Sequence, residues 1–435
     1  MKKILSCVLL FQSPLLAVGR VSNVLVEQNP QTACVTVSYD LAEDAIVTLS
    51  VFTNGIKVAD GCLRKTAGAV NREVSAGTAK KIFWFPTDGF SGHFFDDGEI
   101  EAVVTAWSKE NPPDYMVADL TVTNCVRYYV SEDALPGDIS DTAYKTDLLV
   151  MRRIRAAGKP WRMGVASHEK GQNGDETETT SIPHIVTLTN DYYIGVYEVT
   201  QRQYFRICGE SPSKNKSGSA DDGLNYGGSA AWPVENVSFT ELRGTGVSWP
   251  VDGHSLGSES RIAKARALTG IGTLDLPTEA QWEYACRAGK GTSYNNGELC
   301  TSDWEKYVKE SNLDPIAWYG KTSGTGGSSQ HDVGLKIPNA WDLYDMHGNI
   351  AETCLDWYSE GDAYRRTFAE GWESGEPTLD PVGPESGSQH VYRGGSWSSP
   401  PSKARVTFRE TWTTMNDTYK GAYYGFRFAA VIPVK

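Results

Sequence analysis

Two changes of texture along the 435-residue chain predict an α+β protein built in two parts. From Val21 to about Val126 apolar residues recur with period two, the spacing of half-buried strands. From Leu148 onward short helix starts are scattered among long loops rich in Gly, Ser, Asn and Trp. The length suits two or three domains. Apolar residues at 40% and charged residues at 22% exclude wholesale disorder. With 41 basic against 54 acidic side chains and no basic run, nucleic acid and anionic membranes are poor partners for this surface.

Residues 1–19 read as a secretory signal. Lys2 and Lys3 precede an apolar stretch to Val18, and Ala17-Val18-Gly19 supplies the small residues of a cleavage site. The alternative is a buried N-terminal strand. No later segment approaches the apolar length needed to span a bilayer, so no membrane span is expected in the mature chain. It is expected outside the cytoplasm: secreted, periplasmic or at the cell surface. Seven cysteines follow the leader: Cys34, Cys62, Cys125, Cys208, Cys286, Cys300 and Cys354. Their odd number leaves at least one thiol unpaired. No CxxC pair, HExxH or zinc spacing occurs.

Residues 20–126 are assigned to an antiparallel sandwich of immunoglobulin-like type. Ala33 to Tyr39 alternates, and Ala45 to Phe52 runs through Asn54-Gly55 into Ile56-Lys57-Val58, a hairpin signature. Lys81 to Phe85, Glu101 to Trp107 and Met116 to Val122 supply further strands. Residues 127–147, acidic and carrying Pro136-Gly137, read as a linker.

Residues 148–432 form the second part. Thr200 with Gln203, Ser238 with Glu241 and Thr278 with Gln281 are capping boxes, each satisfying orphan amides at a helix start. Gly209 and Gly289 stand where left-handed caps would close the first and third helices. The long loops, such as 211–232 and 320–332, point to a binding surface or a held ion.

Six landmarks appear in order. They are Tyr192 to Thr200, Pro233 to Phe239, Leu276 to Gly289, Pro338 to Asn349, Arg393-Gly394-Gly395-Ser396-Trp397, and Gly425-Phe426-Arg427. This ordered set resembles the formylglycine-generating enzyme (sulfatase-modifying factor) family across residues 148–432. The resemblance implies a fold distantly related to C-type lectins, with little regular secondary structure. The family's namesake oxidises a cysteine of sulfatases to formylglycine, using oxygen and copper held by two cysteines just after the Gly-Gly-Ser landmark. Ser399 here stands at the first of those positions, and the second falls near Pro401 or Ala404. The last cysteine of the chain is Cys354, and a hydroxyl is a poor ligand for soft Cu(I), so copper is not expected. A branch that makes sulfur–carbon bonds depends on a histidine-rich iron domain absent from this sequence.

The resemblance also implies a structural calcium held by the Asp345 carboxylate, the Gly348 and Ile350 carbonyls and the Glu352 carboxylate, an oxygen set that suits the ion. Read without the family, Asp345 caps a turn and Glu352 pairs with an arginine such as Arg427. His347 reads as a packed turn residue, Glu283 as an ion-pair partner of Arg405 or Arg409, and His168 and Glu169 as solvated. Asp356 with Glu283 is the alternative acid pair.

With the copper ligands missing, the reading is non-catalytic: an exported module binding a protein or a glycan. Its surface is assigned to Trp397, Ser398, Ser399, Arg405, Arg409, Trp412, Asn416, Tyr419 and Tyr423. Rings and short polar groups on a rigid scaffold are the composition of a recognition surface. The bland alternative places those rings in the core. A second function of a different class is an oxidase-type enzyme modifying a cysteine of a sulfatase or other exported polypeptide.

Overall fold

In a computed structural model of the protein, residues 3–5, 20–86, 93–96, 98–165, 181–215, 229–302, 308–320, 329–360, 376–410 and 416–432 are described. The chain divides into two compact units, residues 1–117 with 126–141 and 433–435, and residues 118–125 with 142–432. The architecture is mixed helix and sheet, with four short α-helices among the described residues.

The first unit is built from antiparallel strands. One sheet has the order Lys3–Leu5, Val21–Gln28, Val35–Leu41, Gly77–Trp84, Thr66–Gly68. In the other, Ala45–Thr53 pairs with Ile56–Lys57, Arg72–Val74 and Ile100–Trp107. Along Val35–Leu41 every second residue is buried, so the alternation in the sequence becomes one core face. Val37, Tyr39, Val47, Val51, Ile82 and Trp84 meet in a single apolar cluster drawn from both sheets. The hairpin turn is closed by Asn54 and Gly55 at φ 50° and 75°, the left-handed pair that a two-residue turn requires. The stretch expected as a linker is ordered: Val126–Tyr129 is a strand, and 3-10 turns cover Glu132–Ala134 and Thr142–Lys145.

In the second unit Leu148–Ile154, Tyr192–Gly195, Ala429–Val431 and Leu274–Asp275 lie side by side, all antiparallel. A second sheet sets Ala351–Trp357 between His390–Arg393, antiparallel, and Tyr424–Gly425, parallel. Every residue of Ala351–Trp357 is buried. Helices α1 (Gln201–Cys208), α2 (Phe239–Arg243) and α4 (Glu279–Arg287) begin at the three capping boxes, each reciprocal. Helix α3 (Arg261–Thr269) is capped by Ser260 alone. Gly209 closes α1 in the left-handed region as expected. At the end of α4 the left-handed cap is Ala288, one residue before the expected Gly289.

Candidate functional site

The landmarks converge on a buried charge network. Helix α4 carries Glu279 and Glu283 one turn apart, so both carboxylates leave the same face. Glu279 takes both arms of Arg409 at 2.6 and 2.8 Å. Glu283 accepts from Arg287 at 2.7 and 2.9 Å, from the Gly164 amide at 2.9 Å, and from Arg393. Flanking arginines hold the Glu283 carboxyl below its ordinary range although burial pushes it up. The partners expected for Glu283 were Arg405 or Arg409; the structure corrects this to Arg393 and Arg287. Arg393 reaches Glu283 because its strand runs beside Ala351–Trp357, which α4 covers.

Glu352 lies on the same central strand. Its carboxylate accepts both arms of Arg427 at 2.6 and 2.5 Å and the Trp282 indole N–H at 2.7 Å. This is the arginine pairing that the sequence left open beside calcium. A cation approaching Glu352 would meet a guanidinium already bonded to both oxygens, so the residue does not fit an ion as placed. Asp345 accepts from the Gly334 amide at 2.7 Å through one oxygen, while its other oxygen is buried without a partner. Burial raises the Asp345 carboxyl to about 6. The backbone at Gly348 is pressed against Trp318, and a Cβ there would lie 2.1 Å from the Trp318 carbonyl oxygen. Of the four expected ligands, Glu352 is thus committed to Arg427 while Asp345 keeps one unpartnered oxygen, and no cluster of three or more acidic, His or Cys groups suited to a metal occurs among the described residues. Glu198, which the sequence reading missed, is wholly buried and accepts from Asn349 Nδ2 at 2.7 Å and the Ile350 amide at 2.9 Å. Its only sequence signal is an acid closing the apolar run from Tyr192.

At the family's copper position the turn is tight. Gly395 has φ 68°, and a Cβ there would lie 2.7 Å from the Lys403 carbonyl oxygen. Ser399 Oγ accepts from the Ser396 amide at 2.9 Å, and the Ser399 carbonyl accepts from the Gly320 amide at 2.8 Å. Pro401–Ala404 is a 3-10 turn. The Ala404 carbonyl meets His347 Nδ1 at 2.6 Å, while the Asn295 amide donates to His347 Nε2 at 3.0 Å. His347 is thus a neutral ring with Nδ1–H, and burial pushes its pKa down to about 4. Cys34, Cys62, Cys125, Cys208, Cys286, Cys300 and Cys354 are all free thiols. Cys286 and Cys354 are wholly buried and Cys300 nearly so; burial pushes all three thiols up, away from the thiolate that binds metal.

The expected binding residues separate into two groups. Arg405 and Arg409 are buried, with Arg405 donating to the Ser402 carbonyl at 2.8 Å and Arg409 held by Glu279. Both leave the expected binding surface, because each side chain is buried inside the domain. Trp397 is also buried, tilted against Tyr423 with centroids 5.3 Å apart. Tyr419 and Tyr423 are half-buried, packed against Tyr392 and Tyr424. Asn416, Thr418 and Lys420 are exposed, and Ser398 is half-buried. Asn416 caps its own turn, accepting from the Thr418 amide and hydroxyl. Trp412, His168 and Glu169 lie outside the described residues. Asp356, the alternative acid partner of Glu283, accepts from the Glu279 amide at 2.8 Å and is raised to about 8 by burial and by Glu279.

The sulfatase-modifying factor enzyme 1-like domain model matches residues 154–432. The chaperone protein LppX of Paenibacillus barcinonensis is 28% identical over 223 residues, 45% of this chain and 74% of that protein. The formylglycine-generating enzyme of Streptomyces coelicolor is 35% identical over 125 residues, 28% of this chain and only 35% of the enzyme. The solved structure of Treponema denticola variable protein 1 aligns at 26% identity with a TM-score of 0.45, covering 66% of this chain and 96% of that one.

Proposed function

Starting from a chain that belongs to the sulfatase-modifying factor family, we propose an exported, non-catalytic member that binds a protein or glycan ligand. One observation carries this reading. The two positions where the family's namesake holds copper are occupied by Ser399 and by the Pro401–Ala404 turn, and the Ser399 hydroxyl and the Ala404 carbonyl are engaged in closing the fold. Neither offers a thiolate, and Cu(I) prefers sulfur. Export rests on the Lys2-Lys3 leader and its apolar run. The all-antiparallel first unit, read as immunoglobulin-like, serves as a spacer.

The ligand surface is the rim formed by Ser398, Asn416, Tyr419 and Tyr423, backed by Trp397. Its rings are pre-ordered by mutual packing, so contact costs little conformational entropy. A relative named as a chaperone protein makes a polypeptide ligand the favoured chemistry. The experiment is a screen of glycans and exported polypeptides against the intact chain and a Tyr419→Ala, Tyr423→Ala variant. Binding that disappears in the variant supports the surface; undiminished binding removes it. The second reading, an oxidase-type enzyme acting on an exported cysteine-containing polypeptide, draws on the formylglycine-generating enzymes among the relatives.

A further inference from the structure

His390 opens the strand His390–Arg393 and is enclosed on every side. Its ring is sandwiched between Phe239, at 3.5 Å and 13°, and Trp357, at 3.9 Å and 24°. Nδ1 faces two carbonyl oxygens, those of Leu355 at 3.0 Å and Asp356 at 3.3 Å, so that nitrogen carries a proton. The remaining nitrogen, Nε2, stands 3.2 Å from Asp417 Oδ1, and neither atom makes a hydrogen bond. In the neutral ring this places a lone pair against a carboxylate oxygen. One added proton makes this contact an ion pair, and a small turn of the part-exposed Asp417 side chain aligns it as a charge-assisted hydrogen bond.

We propose that His390 and Asp417 form a proton-operated latch that fastens the Asn416–Tyr423 segment to the central sheet when His390 is charged. The other anchors of the segment are insensitive to this proton: the Thr240 amide on the Asp417 carbonyl, the Asn236 amide on the Gly421 carbonyl, Asn215 Nδ2 on the Ala422 carbonyl, the Ala351 amide on the Tyr423 carbonyl, and Lys420 on Glu241. The remaining ionisable groups around the ring are engaged elsewhere. Asp356 turns its carboxyl to the Glu279 amide, and Arg243 lies across Phe239 with Asp275 at 3.3 Å. Desolvation lowers the pKa of His390 while Asp417 raises it, so the latch closes on the acid side of the ordinary histidine range. It regulates the surface proposed above, yet the contact exists whether or not that surface binds anything.

The test is a nuclear magnetic resonance titration of the His390 ring in the full chain from neutral to acid pH. Amide exchange at Thr240 and Tyr419 is read alongside. Asp417→Asn, a change on the outer side of the contact, is the matched variant. Expected are a resolved His390 midpoint, a fall of about one pH unit in that midpoint in the variant, and protection factors, taken relative to the intrinsic exchange rate at each pH, that rise on acidification only in the parent. A midpoint unchanged by Asp417→Asn, or a ring that does not titrate before the protein unfolds, overturns the latch. Neither result bears on the ligand screen.

Discussion

The network around α4 and the rim at Asn416–Tyr423 lie in one compact unit and differ in how their polar groups are used. Around α4, Glu279, Glu283 and Glu352 are each closed by arginines, and nothing of them reaches solvent. On the rim, Asn416, Thr418 and Lys420 are exposed over a packed layer of tyrosines. The most motif-like residues of the chain therefore hold the fold, while its least motif-like segment carries the exposed polar groups. Landmarks identify a scaffold, and they do not locate what the scaffold presents.

Breaking the buried network should produce the largest effect. Arg427→Met leaves Glu352 charged and buried, and should cost about 3–5 kcal/mol in denaturant unfolding. A loss near the surface-pair range would mean that Glu352 is solvated or neutral. Asp356→Asn tests the same interior through pH. A carboxyl raised to about 8 is protonated in the fold and ionised in the unfolded chain at neutral pH. Its stabilising contribution is present below the unfolded value near 4 and is lost as pH rises towards 8. The amide variant should lose that component of the decline, seen as a flatter profile of melting temperature between pH 5 and 8. An identical slope in both proteins would contradict a protonated Asp356.

On the rim the effect on stability should be small. Tyr423→Ala removes a half-buried ring and should cost about 1–3 kcal/mol, less than Arg427→Met, while the ligand response falls away. Equal destabilisation by the two variants would erase the distinction between scaffold and surface. Smallest of all is calcium. With Glu352 committed to Arg427, adding calcium or a chelator should leave the melting temperature unchanged. A shift that Asp345→Ala abolishes would restore the ion.

Local signals were legible in the sequence and distant ones were not. The starts of α1, α2 and α4 could be read because a capping box lies within four residues. Helix α3 was missed because Ser260 has Ala263, not a glutamate or glutamine, at the reciprocal position. The end of α4 fell one residue early because Ala288 takes the left-handed turn before Gly289 does. The Asn54-Gly55 hairpin was readable for the same local reason. By contrast, the partner of Glu279 is Arg409, 130 residues away, and that of Glu283 is Arg393, 110 residues away. Such pairings depend on which strands lie side by side, which no short window contains. Arg405 and Arg409 were therefore assigned to the surface by composition, whereas burial places them inside.

The most direct test of a non-catalytic domain is to load the purified protein with Cu(I), supply oxygen and a cysteine-containing sulfatase peptide, and follow the peptide by mass spectrometry. With Ser399 and the Pro401–Ala404 turn where the thiols would stand, the expected result is a peptide whose thiol is not converted. Formation of the formylglycine aldehyde would contradict it and return the chain to the family's enzymes.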